Sequence, residues 1–332
     1  MLLNRQMRKL SKNLDRIVNT LNDGKFHDGT TLGEKFNMTR AGIWKAIKKL
    51  QDYGIEIESI KGKGYRLTDP LILLNKTTIK KGLQHKINVE VLETTNSTMD
   101  YFKTSNDHKK MGLCFAETQS AARGRFNRHW HTPFAQNISL SLRYPFAKDI
   151  SQLAGLSIVV GLGLCYSLEK LVFRKPLQLK WPNDIIYDNK KLGGVLIEIE
   201  AESNGWCHAI IGFSINTNMQ HQQGKQISQA WTSLREINKQ YVDRNLLSIQ
   251  LINDLLTQLE QFTTSGFKAF MPKWKTFDYL HNKNITLRNL EHHITGKAQG
   301  INEQGHLLLK TKNGKITACS SGDASIVKSP YK

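Results

Sequence analysis

Apolar residues recur at helical spacing through the first fifty positions of the chain. Leu10, Leu14, Ile17, Val18 and Leu21 form one helical stripe, and Gly24 ends it. Thr31-x-x-Glu34 reads as a capping box that opens a second short helix, with Leu32 and Phe36 inward and Asn37 at its end. A third helix is expected from Thr39, burying Ile43, Ile47 and Leu50 and closed by Gly54. Its other faces carry Arg40, Trp44, Lys45, Lys48 and Lys49. The period then changes to two: Ile55, Ile57, Tyr65 and Leu67 predict two short strands around the basic turn Lys61-Gly-Lys-Gly. Three helices and a basic hairpin predict a winged helix-turn-helix over residues 1–69. In that geometry Thr39, Arg40, Trp44, Lys45 and Lys48 address the major groove of DNA, while Lys61 and Lys63 reach phosphates. The plainer alternative is a small helical module with a solvated basic face. The short turn, the polar start of the third helix and the wing behind it weigh against that.

Asp69-Pro70 breaks the pattern, and Leu71 to Leu83 predicts a connecting helix into a larger region. Val89, Val91 and the run Ile138 to Arg143 alternate as half-buried strands do. Leu153 to Val172 is apolar on nearly every face and predicts a buried helix. No strand leads into its Gly161-Leu-Gly163, so a dinucleotide fingerprint is not supported. Further on, Asp188-Asn189 is a two-residue hairpin turn between β-rich runs. That turn sets Tyr187 opposite Lys190 and Ile186 opposite Lys191, so Lys191 and Asp184 project together from one sheet face. Gly193 and Gly194 leave room beside them for a ligand or another backbone. A structural ion pair is the plain reading of that segment.

With 332 residues the chain is long enough for two or three domains. A net charge of +19 favours anionic partners. The excess is spread, with 14 basic against 8 acidic side chains in residues 1–70 and 33 against 20 in the rest, so charge alone does not locate the partner. Cys114, Cys165, Cys207 and Cys319 lie far apart, as buried thiols in a reducing cytoplasm would. His129 and His131 lack partners at metal-ligand spacing and His292-His293 falls in a polar turn, so no dedicated metal site is expected. The longest apolar run, Leu153 to Tyr166, is too short to cross a bilayer, and a soluble, cytoplasmic protein without membrane contact is expected.

Between Glu117 and Pro133 the chain places Arg123, Gly124, Arg125 and Arg128 within six residues, beside Trp130. Arginine offers a planar fork of donors for carboxylate or phosphate oxygens, and glycine admits a close ligand. Gln-x-x-x-Arg-Gly-Arg before Trp-x-x-Pro-Phe, then Lys-Trp-Pro-Asn-Asp, Lys-Leu-x-Gly and Ile-Asn-x-Asn together resemble the biotin protein ligases. The N-terminal unit makes the resemblance closest to the bifunctional kind that also represses biotin synthesis genes. It runs from about Leu14 to Val327.

The resemblance implies an α+β multidomain fold. A winged helix would precede a class II synthetase-like mixed-sheet ligase domain over residues 70–275, with an SH3-like β-barrel over 280–332. Ile285 to Val327 has the short alternating strands for such a barrel, punctuated by Gly296, Gly300, Gly305, Gly314 and Gly322. It further implies activation of biotin by ATP and Mg²⁺ to biotinoyl-5'-AMP and transfer to a lysine of a carboxylase's biotin carboxyl carrier domain. Operator DNA and a ligand-promoted homodimer would be the other partners. By position, Ser97, Thr98, Met99 and Gln119 are similar to the biotin contacts, and Arg123, Gly124 and Arg125 to the loop that closes over biotin and adenylate. Lys191 would touch the biotin carboxylate and the activated phosphate, and Asp184 would orient the acceptor lysine. Arg125, Arg128, Trp130 and Asn216 would meet the nucleotide. Four positions depart from the family pattern: Ala122, Asn127 and Ser214 replace glycines, and Met99 an asparagine. Ala122 is expected to restrict loop closure. A non-catalytic ligand-sensing transcription factor and a lipoate ligase remain as competing readings, the first disfavoured by Lys191 with Asp184.

Overall fold

The computed structural model describes residues 7–9, 11–104, 110–171, 173–201, 207–288 and 293–327. The chain divides into two compact units. One holds Met1–Arg143, Ser214–Ser228 and Ser233–Ile249; the other holds Tyr144–Phe213, Gln229–Thr232 and Gln250–Lys332. In chain order the first stretch contains β1 (Arg8–Lys9), α1 (Lys12–Leu21), α2 (Gly29–Phe36), α3 (Arg40–Asp52), β2 (Ile57–Ile60) and β3 (Gly64–Leu67). Next come α4 (Lys76–Gly82), β4 (Asn88–Thr95), α5 (Thr98–Lys103), β5 (Gly112–Gln119), β6 (Ile138–Phe146) and α6 (Leu156–Leu168). They are followed by β7 (Leu177–Lys180), β8 (Asp184–Tyr187), β9 (Lys190–Ala201), β10 (Cys207–Ile215), α7 (Leu234–Asn238), α8 (Arg244–Ser265) and α9 (Met271–Phe277). The last strands are β11 (Asn284–Arg288), β12 (His293–Ile301), β13 (Leu307–Lys310), β14 (Ile316–Cys319) and β15 (Asp323–Ile326).

Helices α1 to α3 bury the stripe expected of them: Leu14, Ile17, Val18, Leu21, Leu32, Phe36, Ile43, Ile47 and Leu50 share one core. Leu10 lies outside the described residues. The cap of α2 differs from the expected Thr31/Glu34 box. Asp28 Oδ1 accepts from the Thr30 and Thr31 N–H groups at 2.9 and 3.0 Å, because a carboxylate three residues earlier is the stronger acceptor for that first turn. Thr39 caps α3 as expected, its Oγ1 accepting from Gly42 N–H at 3.1 Å. The β2–β3 hairpin pairs Ile57 with Leu67 and Ser59 with Tyr65, and Tyr65 also exchanges both backbone bonds with His27 at 2.9 Å. That is a winged helix-turn-helix.

The connecting helix is shorter than expected, α4 covering only Lys76–Gly82. The preceding residues stay extended because distant side chains take their backbone groups. Leu71 N–H donates to Asn22 Oδ1 at 2.8 Å, Ile72 N–H to Tyr241 Oη at 2.9 Å and Leu74 N–H to Glu117 Oε1 at 2.5 Å. Beyond α4, the first unit's strands run in the order β1, β4, β5, β6. Strands β4 and β5 are parallel, with α5 in their crossover, while β1 on β4 and β6 on β5 are antiparallel. This mixed pairing ends with Thr95 beside Gln119. The carboxyl ends of two parallel strands therefore open side by side, the usual place for a ligand in such sheets.

In the second unit the strand order is β10, β9, β8, β7. The stretch Ile150–Leu168 is long and apolar enough to cross a membrane by length and composition, longer than the expected run, yet 61 % of it is buried in the protein. It is also not one helix: a 3₁₀ turn at Ile150–Leu153 is followed by Gly155 at φ +81° and then α6. Gly161 is there for contact, since a Cβ would come within 2.7 Å of Leu179. Val172, the expected helix end, lies outside the described residues. Trp181, buried before the cis Pro182, donates its indole N–H to Gly305 O at 2.9 Å. Strands β11 to β15 form a five-stranded antiparallel sheet in the order β14, β13, β12, β11, β15. Of the five punctuating glycines, Gly296 and Gly300 lie inside β12 rather than at a turn, and a Cβ on Gly296 would sit 2.7 Å from Lys310 O. His293 likewise begins β12 instead of lying in a turn; His292 is outside the described residues. All four cysteines are buried thiols.

Candidate functional site

The first unit gathers most of the predicted ligand residues at the ends of β4 and β5. Ser97 caps α5, its Oγ accepting from Met99 N–H at 3.3 Å. Thr98 donates its N–H to Gln119 Oε1 at 2.7 Å and shares a hydrogen with Ser141 Oγ at 2.8 Å. Gln119 is held in turn by Thr132, whose Oγ1 accepts Gln119 N–H at 3.0 Å and donates to Gln119 O at 3.1 Å. Ser97, Thr98 and Met99 are buried, so this wall is packed. Met99 supplies apolar surface at the position where the family pattern has an asparagine.

The arginine segment folds back on itself. Trp130 N–H donates to Ala122 O at 2.9 Å, Gly124 N–H to Arg128 O at 2.8 Å, and Arg123 bridges His129. At the tip Phe126 and Asn127 take φ of 56° and 53°. Asparagine tolerates that left-handed conformation, so Asn127 substitutes well for a glycine; Phe126 in the same region is strained. Ala122 is buried and its φ is not positive, so a glycine's freedom is not needed at that position in this state. Arg125 and Arg128 stand over the half-exposed Phe126 ring, 5.1 and 5.9 Å from its centroid. Arg123 is aimed differently. Its Nη2 lies 2.9 Å from Asp100 Oδ1 and its Nη1 3.3 Å from Oδ2, a forked pair anchoring the segment to α5. Asp100 was not foreseen; its only mark in the sequence is its place in the first turn of α5.

Asn216, expected near the nucleotide, is buried and joined to Asn137, whose Nδ2 donates to Asn216 Oδ1 at 3.4 Å. Asn137 also accepts Thr217 N–H at 3.0 Å. Ser214, another departure, turns its hydroxyl to Ser139 Oγ at 2.8 Å and Ile138 O at 3.0 Å, a use that glycine could not make. His131 serves locally: it bonds Gln223 O at 2.7 Å and Gln226 Nε2 at 2.6 Å, and burial pulls its pKa down. Among the described residues no group of three or more His, Cys, Asp or Glu could hold a metal ion.

The second unit carries the lysine and its carboxylate. Asp188 and Asn189 take φ of 48° and 62°, the left-handed pair that a tight hairpin turn requires. Tyr187 faces Lys190 and Ile186 faces Lys191, as expected, and an irregularity follows at Ile185/Ile186. Lys191 Nζ lies 2.8 Å from Asp184 Oδ1, both side chains mostly buried at 17 % and 19 % exposure. The Lys191 backbone is pinned on its far side, donating to Ala230 O at 2.9 Å and accepting from Thr232 N–H at 3.0 Å. The ammonium is therefore held against an adjacent carboxylate, on a strand whose backbone is bonded on its far side.

The residues expected to meet DNA lie at the surface of the winged helix-turn-helix. Thr39, Arg40, Trp44, Lys45, Lys48, Lys61 and Lys63 are all exposed, with Trp44 at 55 %. Lys48 makes an exposed pair with Asp52 at 3.0 Å, which contributes about 0–1 kcal/mol and leaves the ammonium accessible. Lys49 differs, turning inward to Glu93.

Residues 13–66 match a helix-turn-helix domain family, residues 89–216 the biotin/lipoate A/B protein ligase family, and residues 280–327 the biotin protein ligase C-terminal domain. The chain is 35 % identical over 311 residues to the bifunctional ligase/repressor BirA of Salmonella typhimurium, covering 93 % of this chain and 96 % of that protein. The bifunctional ligase/repressor BirA of Escherichia coli is 34 % identical over 312 residues, covering 94 % and 96 %. Among solved structures, the biotin protein ligase from Aquifex aeolicus in complex with biotin and ATP superposes with a TM-score of 0.62 at 29 % identity, covering 73 % of this chain and 99 % of that one. Identity of 34–35 % to the two BirA proteins over more than nine-tenths of the chain, together with an arginine segment at the ends of two parallel strands and a winged helix ahead of them, places the chain in the family of bifunctional biotin protein ligase/repressors.

Proposed function

We propose that the protein activates biotin with ATP, giving biotinoyl-5'-AMP and pyrophosphate, and passes biotin to a lysine of a biotin carboxyl carrier domain. It also represses biotin synthesis genes in response to biotin. The reading rests on Lys191 held 2.8 Å from Asp184 on the β8–β9 hairpin, because a protein that only senses a small acid has no need of that pair. In the first half-reaction a biotin carboxylate oxygen attacks the α-phosphorus and pyrophosphate leaves. One anion attacks another, so cations must offset the charge that develops on phosphorus; Arg123, Arg125 and Lys191 have that role. Ser97, Thr98, Met99 and Gln119 form the wall for the biotin ring, and Gly124 admits the adenylate to the loop backbone. Arg128, Trp130 and Asn216 meet the nucleotide. Mg²⁺ arrives with ATP as part of the substrate. In the second half-reaction the acceptor amine, oriented by Asp184, attacks the acyl carbon, AMP leaves and the amine gives up a proton to solvent.

The three matched segments support a division into a DNA-binding domain over 1–69, a ligase domain over 70–275 and a C-terminal domain over 280–332. Adenylate occupancy promotes a two-fold dimer in the cytoplasm, and its two winged helices meet a palindromic operator. Biotin-dependent ATP–pyrophosphate exchange, followed by transfer of labelled biotin to a carrier domain, tests the catalytic reading. Exchange driven by lipoate but not biotin would redirect it to the sister activity, and no exchange with either acid would leave only a sensor. For the DNA face, Arg40→Ala is expected to weaken operator binding roughly tenfold or more while pyrophosphate exchange stays within about twofold. Equal loss of both activities would contradict a separate DNA-binding surface.

A further inference from the structure

The C-terminal end of α3 packs against the end of the arginine segment. The Tyr53 ring stacks on Phe134 with centroids 4.2 Å apart and planes inclined by 5°. Phe134 closes the arginine segment, since the next residue, Ala135, returns its N–H to Glu117 O on β5 at 3.1 Å. Tyr53 Oη donates to Glu93 Oε1 at 2.8 Å, and Lys49 Nζ lies 2.5 Å from the same oxygen. Glu93, on β4, is 1 % exposed and precedes the biotin-wall residues Ser97 and Thr98 by a few positions. Lys49 and Tyr53 lie one helical turn apart, while Arg40, Trp44, Lys45 and Lys48 are exposed to solvent. Burial and the Glu93 charge push the Tyr53 hydroxyl up to about 12, so it stays a donor across the working pH range.

Apolar packing alone would join two bodies without a buried carboxylate, whose desolvation must be met by close partners. A stacked ring and a charge-assisted hydrogen bond instead fix one relative position of helix and strand. We infer that Tyr53, set by Glu93 and Lys49, is a positioning residue that couples the arginine segment to α3. The inference rests on the reading that this segment orders over biotinoyl-adenylate. Ordering the segment fixes Phe134, which fixes Tyr53 and quiets α3. By reciprocity of linkage, a fixed α3 retains the adenylate longer.

The test uses full-length protein with biotin and ATP. Three quantities are measured on each variant: pyrophosphate exchange, release of labelled adenylate in a chase, and hydrogen exchange of α3 amides with and without ligand. In the wild type, ligand is expected to slow α3 exchange roughly fivefold or more, the lower end of ordinary coupling strengths. Tyr53→Leu is expected to abolish that ligand-dependent slowing and to speed adenylate release by a similar factor. Tyr53→Phe, which keeps the ring and loses the hydroxyl, and Glu93→Gln, which keeps the shape and loses the charge, are expected to fall between. A purely structural role would alter α3 exchange equally with and without ligand, so a Tyr53→Leu protein that retains the ligand-dependent change overturns the inference. So does a wild type whose α3 ignores the ligand while pyrophosphate exchange proceeds. Absence of exchange in the wild type overturns the ligase reading itself, and the coupling with it.

Discussion

Replacing Lys191 with alanine is expected to lower biotin-dependent ATP–pyrophosphate exchange by about 10²–10³-fold, the usual loss when one fixed charge donor is removed from a transition state. The amine is held by Asp184 at 2.8 Å and by backbone bonds on both sides of its residue, so little reorganisation is needed when charge develops. Lys191→Arg is expected to recover only part of the rate, because a planar fork cannot take the same point-charge geometry. Thermal unfolding should change little, since Asp184 keeps 19 % of its side chain exposed and can be solvated once its partner is removed. An exchange rate within threefold of wild type would show that the amine is not at the reacting phosphate. Asp184→Asn is the companion measurement: transfer to the carrier lysine should fall more than adenylate formation does.

The second large effect concerns stability. Arg244 and Glu117 have side chains with 0 % exposure and approach at 2.8 Å. Arg244 also donates to Asn137 O at 3.1 Å and to Ile72 O at 2.7 Å, and Glu117 accepts Leu74 N–H. Two charges thus tie the start of α8 to β5, to the chain entering β6 and to the extended segment before α4. Arg244→Met is expected to destabilise the first unit by about 3–5 kcal/mol, because the Glu117 charge is left buried without its partner. The double variant Arg244→Met with Glu117→Leu is expected to regain part of that loss, since the buried unpaired charge is gone although Leu74 N–H, Ile72 O and Asn137 O still lack their partners. Urea unfolding of the three proteins decides it. A single variant that costs under 1 kcal/mol, or a double variant no more stable than the single, would contradict the account. The pair also connects to the proposed nucleotide residue, because Asn137, whose carbonyl Arg244 holds, bonds Asn216 and Thr217.

Those two sites mark what was and was not readable from the chain alone. The β8–β9 hairpin was readable because only a few residue types accept two successive left-handed conformations, and Asp188-Asn189 fixes the register of the two pairs next to the turn, up to the irregularity at Ile185/Ile186. From register alone Lys191 and Asp184 had to share a face. The helical stripes of α1 to α3 were readable for the same reason, since their partners lie within a few turns. The extended segment at 71–75 was not. Its leucines have helical spacing, but its backbone donors go to Asn22, Glu117, Tyr241 and Asn245, residues 43 to 170 positions away. No local pattern encodes such partners. The same holds for Asp100, which meets Arg123 across 23 positions, and for Lys49, whose charge suggested a solvated face until Glu93 was found beneath it. The α2 cap differs for another reason: Asp28 and Thr31, three positions apart, are both competent acceptors, and the carboxylate is the stronger.

Two residues at the margin of the first unit carry a practical consequence. Arg8 and Lys9 pair with Thr94 and Leu92 along the outer side of β4. That brief pairing blunts a row of backbone donors and acceptors that would otherwise be a template for strands of other molecules. Recombinant versions trimmed to begin at α1 would present this bare ladder, so gains in tidiness at the amino terminus would come with sticky, self-associating preparations whose apparent dimerisation has nothing to do with biotin.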